Sequence, residues 1–301
     1  MIGNFFNRMY NGNSNKSDYT KDDLPGNRWQ LFFSMVKLNF GKLINVNLVF
    51  FIFLIPTVIW LSTNIQLIAG SIEAGDQTLA WSYFAMTAYG MLPCYLVMTF
   101  GLIPMTYITR NMARDENVWI WSDFKKSIKE NWKQGLVLSL LNGLFTILAI
   151  IGSRFYEIMY QDGGNMVYFI GSTAVKVIGA VWALMNFYMW PMLVTYELKI
   201  KDIVKNSLVL CLGRLPYTLF MALFTLIVPV ILALSTNIWV YFVIFVLYVF
   251  LAFALNSMAI NSVTNAIFDK HINSRIKGAR INRGLRIEFD DDDDDEDEAG
   301  E

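Results

Sequence analysis

An ammonium group inside a long apolar run is the first place in this chain where chemistry could happen. Lys176 lies in "TAVKVIGAVWALMNFYMWP", followed by Trp182 and Asn186. Trp182 and Asn186 are four residues apart, so a helix stacks them on one face. A cation, an indole N–H and a carboxamide along one helix suit a path for a polar or anionic small molecule. The simpler reading competes with it: the four-carbon stem of Lys176 reaches the outer interface, or its ammonium pairs with Glu157 or Asp162.

The other polar groups in or beside apolar runs are asparagines: Asn45, Asn47, Asn142, Asn256, Asn261 and Asn265. Ser257, Asn261 and Asn265 repeat every four residues. Such a stripe joins helices through hydrogen bonds of about 0.6–2 kcal/mol each. It would also serve a sugar path, since hydroxyls need donors and acceptors. "GMLP" at 90–93 and "GLIP" at 101–104 predict a kinked helix, and broken helices line transporter sites. Glycine and proline are also ordinary in membrane helices.

Enzyme chemistry finds no foothold. There is no Ser-His-Asp arrangement, HExxH, P-loop or CxxC. One histidine, His271, excludes a multi-histidine metal site. Cys94 and Cys211 sit far apart in apolar surroundings, so neither a disulfide framework nor a zinc site is expected. The chain is therefore read as a non-enzyme with no catalytic residue, metal or cofactor.

The elements that must position these groups are helices in lipid. Hydrophobic residues make up 55% of the 301 and charged residues 16%, against about 25% charged in a soluble domain. Crossing a bilayer core of about 30 Å takes about 20 apolar helical residues. Six stretches qualify: 43–65, 83–107, 135–152, 167–196, 215–235 and 239–260. Lys176 is the one charged residue among them. The expected fold is an all-α integral membrane bundle of six transmembrane helices with amphipathic cytoplasmic helices, spanning 27–268.

Charge sets the orientation. The segments before span 1, between spans 2 and 3, between spans 4 and 5, and after span 6 hold 22 of the 24 basic residues. The other loops hold Arg154 alone, with Glu73, Asp76, Glu157 and Asp162. By the positive-inside rule both termini face the cytoplasm of a plasma membrane. Trp60, Trp81 and Trp239 mark the outer interface, and Trp29 and Trp190 the inner one.

Between spans 2 and 3 runs "DENVWIWSDFKKSIKENWKQ". Phe124, Ile128 and Trp132 recur every four residues as an apolar stripe, with lysines and Glu130 on the other face. Ser122 is the expected N-cap. Such a helix lies at headgroup level. A nucleic-acid surface would need its aromatics free to face water; here lipid or protein takes them, so no nucleic-acid partner is expected. Residues 27–43 read as a second such helix. The run "KHINSRIKGARINRGLR" suits anionic lipid or topological anchoring.

The ends differ from the body. The first 26 residues read as a disordered cytoplasmic start without a secretory signal. Ten acids crowd 290–301, leaving 24 basic against 15 acidic residues elsewhere. Residues 269–301 therefore read as a basic juxtamembrane segment and a disordered acidic tail.

Three blocks together resemble the YesL-like family of bacterial multi-pass membrane proteins: "NRWQLFFSMVKLNFGKLINVNLVFFIFLIPTV", "GLIPMTYITRNMARDENVWIWSDFKKSIKENWKQGLVLSL" and "YMWPMLVTYELKIKDIVKNSLVLCLGRLPYTLFMALF". The resemblance implies a six-span protein encoded beside sugar-uptake transporters and glycan-degrading enzymes; it assigns no catalytic or binding residue. The last block is also faintly similar to the cytoplasmic helix by which sugar ABC permeases dock their ATPase. Glu197 and Leu215-Pro216 match, whereas Leu198, Lys199 and Ile203 replace the expected alanines and glycine.

The leading expectation is a non-enzymatic accessory to carbohydrate uptake by ABC-type systems, contacting permease or ATPase subunits. The contact residues would be Phe124, Lys126 and Trp132 in one loop and Glu197, Lys201 and Arg214 in the other. An autonomous transporter or divergent permease subunit, with Lys176, Trp182 and Asn186 on its path, is the alternative. A membrane sensor signalling through the acidic tail is a third.

Overall fold

The computed structural model describes residues 24–286, so the acidic tail and nearly all of the polar start lie outside the described residues. The described chain is an all-α membrane bundle, with six helices long and apolar enough to cross a membrane. A short helix, α1 (Arg28–Leu38), precedes the first span. Asn27 caps it by accepting the Gln30 N–H at 2.9 Å. At its other end the Asn39 carboxamide donates to the Met35 carbonyl and marks the break. Leu31 and Met35 are buried, while Trp29 and Phe33 face outward, the split expected of an interfacial helix.

Four long helices follow: α2 (Phe40–Glu73), α3 (Gln77–Ala113), α4 (Ile120–Gly163) and α5 (Met166–Thr195). Short turns join them, and each packs on its predecessor. Next comes the amphipathic α6 (Ile200–Gly213), then the fifth span, α7 (Leu215–Leu234). The sixth crossing is a rod over Ile238–Arg275, built from α8 (Ile238–Leu247), a π-helical turn (Tyr248–Ala252) and α9 (Phe253–His271). The alternating directions gather the loops at 114–119 and 196–199, α6 and the segment after α9 at one end. That end, the basic end, carries most of the lysines and arginines among the described residues.

Three features depart from what the sequence led one to expect. The amphipathic loop helix and the third span are one helix of 44 residues; no capping residue interrupts it, and Gly135 lies buried against Ile103 instead of breaking it. Ser122 is not its cap. The helix starts at Ile120, and the Asp123 carboxylate accepts the Trp119 N–H at 2.9 Å. Past both Gly-x-x-Pro units α3 stays helical through Pro93 and Pro104, with Gly90 against the Trp60 side chain and Gly101 against Phe53 and Phe50. Trp190 is buried in the core and is no interface marker; its N–H finds an acceptor inside the bundle at Asn186.

The core lies toward the basic end, where the ends of α3, α5 and α9 converge around Met112, Met189, Met192 and Met258. Away from it the helices splay apolar faces outward: Leu234 is 80% and Trp239 71% exposed. In water such a surface would be untenable, and in hydrocarbon it is the expected exterior.

Candidate docking face

Two of the loops read as partner surfaces meet at the basic end. Gln134 on α4 donates its carboxamide N–H to the Leu198 carbonyl at 3.0 Å, tying the α4 helix to the link between α5 and α6. α6 packs mainly on α5 and buries a stripe at four-residue spacing, Ile203, Ser207 and Cys211. Its outward face carries Lys201, Lys205, Leu208, Val209 and Leu212, all exposed. Glu197 is exposed just before it. On the α4 side Lys126, Lys129 and Lys133 face out, and Trp132 is 41% exposed with the Lys133 ammonium 5.6 Å from its ring.

Two other predicted contact residues are engaged internally. Phe124 is half-buried, stacked on Phe53 at 6.2 Å and edge-on to Trp121 at 6.1 Å. Arg214 sits between α6 and α7 and points its guanidinium at His271 on α9. Phe124 therefore braces α4 on the first span, and Arg214 joins the last two spans.

Beneath this face lies a polar lattice that the sequence reading missed. Asp269, 7% exposed, is its centre. It binds Arg28 at 2.6 Å, accepts the Asn273 carboxamide at 2.7 Å and accepts the Asn282 backbone N–H at 3.1 Å. Tyr196 donates to Asn273 at 2.8 Å. Burial, with Asp269 adding to it, pushes the Tyr196 hydroxyl up to about 12. Arg110 donates to the Val194 carbonyl and to Asn111. Glu116 engages both Arg114 and Arg283. The basic segment after α9 folds back on the start of the described chain: Arg286 donates its backbone N–H to the Pro25 carbonyl. Arg275, Lys277 and Arg280 stay exposed. No local pattern betrays this lattice, since its partners lie up to 254 residues apart.

The predicted ligand-path residues fall in two places. Trp182 and Asn186 do meet, but each is taken. Asn142 donates to Asn186 at 2.8 Å and accepts from the Trp182 indole at 2.8 Å. Asn186 also accepts from Trp190 at 3.1 Å and donates to the Trp182 carbonyl. Phe145 stacks on Trp182 at 3.7 Å, closing the cluster. Lys176 precedes Trp182 by six residues and Asn186 by ten, about 9 and 15 Å along the helix axis. It is 58% exposed and pairs with Glu157 at 2.6 Å. Arg154 lies 3.8 Å from the same carboxylate and stacks over Trp81 at 3.9 Å.

In the polar stripe on α9, Ser257 and Asn261 join helices, whereas the buried Asn265 amide nitrogen has no hydrogen-bond partner among the described residues. Ser257 shares a hydrogen bond with Thr109 at 2.8 Å, and Asn261 donates to Thr109 and to the Thr106 carbonyl on α3. Asn256 accepts from Thr225 of α7 at 3.0 Å. Compared with family models, curated proteins and solved structures, the chain finds no match.

Proposed function

We propose that this protein is a non-enzymatic accessory subunit of a bacterial plasma membrane, with both termini cytoplasmic. Its basic end docks the cytoplasmic parts of a carbohydrate-uptake system of the ABC type. The observation that carries the docking reading is the Gln134–Leu198 hydrogen bond, which ties the lysine-bearing start of α4 to the α5–α6 link, distant in sequence. The positive-inside rule makes the basic end cytoplasmic. The carbohydrate direction comes from the resemblance to the YesL-like family. An autonomous transport path is disfavoured, because the polar groups it would use at Trp182 and Asn186 already satisfy one another and Lys176 is held by Glu157.

The test is recovery of the tagged full chain from native membranes in mild detergent, with mass spectrometry of what co-purifies. Permease and ATPase subunits near stoichiometry are expected, falling severalfold in a Lys126→Glu, Lys201→Glu double variant. A partnerless protein, or undiminished recovery by the charge-reversed variant, would overturn the reading.

A further inference from the structure

At the basic end a pocket of about 510 Å³ opens between the start of α2 and the start of α4. Lys42 and Asn45 line it from α2, and Trp119 and Trp121 from α4, over a wall that includes Leu48 and Val49. Lys42 and Asn45 are three residues apart, so one helical turn carries both toward the same space. Trp119 is 75% and Trp121 66% exposed. None of these four side chains has a hydrogen-bond or ion-pair partner among the described residues. A lysine, an asparagine and two tryptophans thus line one cavity, and no hydrogen bond among the described residues uses their side-chain donors. The Asp123 carboxylate beyond the pocket wall is engaged with the Trp119 backbone N–H. The volume falls within the roughly 300–1,000 Å³ range typical of small-molecule sites.

Unused donors around a lysine call for an anionic oxygen ligand. The apolar wall and the two indoles say that the ligand is amphiphilic. Leu48 and Val49 follow Lys42 into the first span, so a ligand with its head on Lys42 would lay its tail along the membrane helices. Paired tryptophans with lysine are also the side chains of the headgroup layer. We propose that this pocket holds the headgroup of a single anionic phospholipid. A soluble anion would leave the indoles and the apolar wall unused. A zwitterionic lipid would bring its own cation against Lys42.

The experiment uses the purified full chain in phosphatidylcholine nanodiscs with a minority of phosphatidylglycerol, counting retained lipids by native mass spectrometry. The variants are Lys42→Gln and, as a control for net charge, Lys277→Gln on the exposed segment after α9. Thermal midpoints in pure phosphatidylcholine check that both variants are folded. Preferential retention of phosphatidylglycerol is expected, reduced about fivefold by Lys42→Gln, the loss of about 1 kcal/mol from one lysine near an anionic headgroup, and unchanged by Lys277→Gln. Equal retention of the two lipids would overturn the proposal. An equal loss in both variants would too, since it would mean diffuse surface charge. Displacement of the lipid by free glycerol phosphate would replace it with a soluble-anion site.

Discussion

Single side chains in this bundle act mostly as joints between helices. Asn142 shows why: its carboxamide is both donor and acceptor, and it serves Asn186 and Trp182 at once. Replacing it by leucine would leave the Trp182 N–H and the Asn186 oxygen short of a partner, a loss concentrated in a region where water does not help. Asn142→Leu is expected to destabilise the fold by about 1–2 kcal/mol, measured by thermal or denaturant unfolding in detergent. Lys176→Leu removes a half-exposed ion pair and should change stability by less than about 1 kcal/mol. If Lys176→Leu proved the more damaging of the two, the Lys176–Glu157 pair would have to be more than an interfacial contact.

Among the elements, the sixth crossing is the irregular one. Its π-helical turn frees backbone groups that an α-helix would use, and Asn47 on the first span collects them. The Asn47 carboxamide donates to the Tyr248 and Val249 carbonyls at 2.8 and 2.7 Å and accepts the Ala254 N–H at 2.9 Å. Asn47 is fully buried, so the three bonds have no substitute from water. Asn47→Leu should destabilise by roughly 2–3 kcal/mol, and retention of wild-type stability would mean that the rod relaxes to a regular helix. Close contact between α2 and α3 depends instead on a missing side chain. A Cβ at Gly90 would overlap the Trp60 indole, whereas one at Gly70 meets nothing within 4 Å. Gly90→Ala is therefore expected to lower stability by about 1–3 kcal/mol, with Gly70→Ala unharmed in the same unfolding assay.

At the scale of the whole molecule, the chain closes on itself at the basic end. Asp269 holds Arg28 from the start of the described chain and Asn282 from its finish. Removing that carboxylate leaves a half-buried guanidinium and an orphaned N–H. Asp269→Ala should destabilise by roughly 2–4 kcal/mol and expose 272–286 to protease, read by limited proteolysis. The proposed orientation is tested with single cysteines in a chain whose Cys94 and Cys211 are alanine. Lys201→Cys should react with a membrane-impermeant maleimide only after cells are opened, and Asn237→Cys in intact cells. The reverse pattern would invert the topology and remove the docking face from the cytoplasm.

The residues alone determined the class of this protein, six apolar helices with segregated charge, because hydropathy and charge are local and additive along the chain. A Lys176 ion pair was legible only as one choice among Glu157, Asp162 and the interface, and the structure selected Glu157. Tertiary structure decided what the polar groups do. Trp182 and Asn186 looked alike as path lining and as joints until Asn142, 44 residues from Asn186, was brought against them. The continuity of α4 was hidden because Gly135, a helix breaker by propensity, is held against Ile103 by packing. Asp269, Arg28 and Asn282 carry no local signal, since an ion pair depends on distance in space, and only the return of the chain to the basic end makes that distance short.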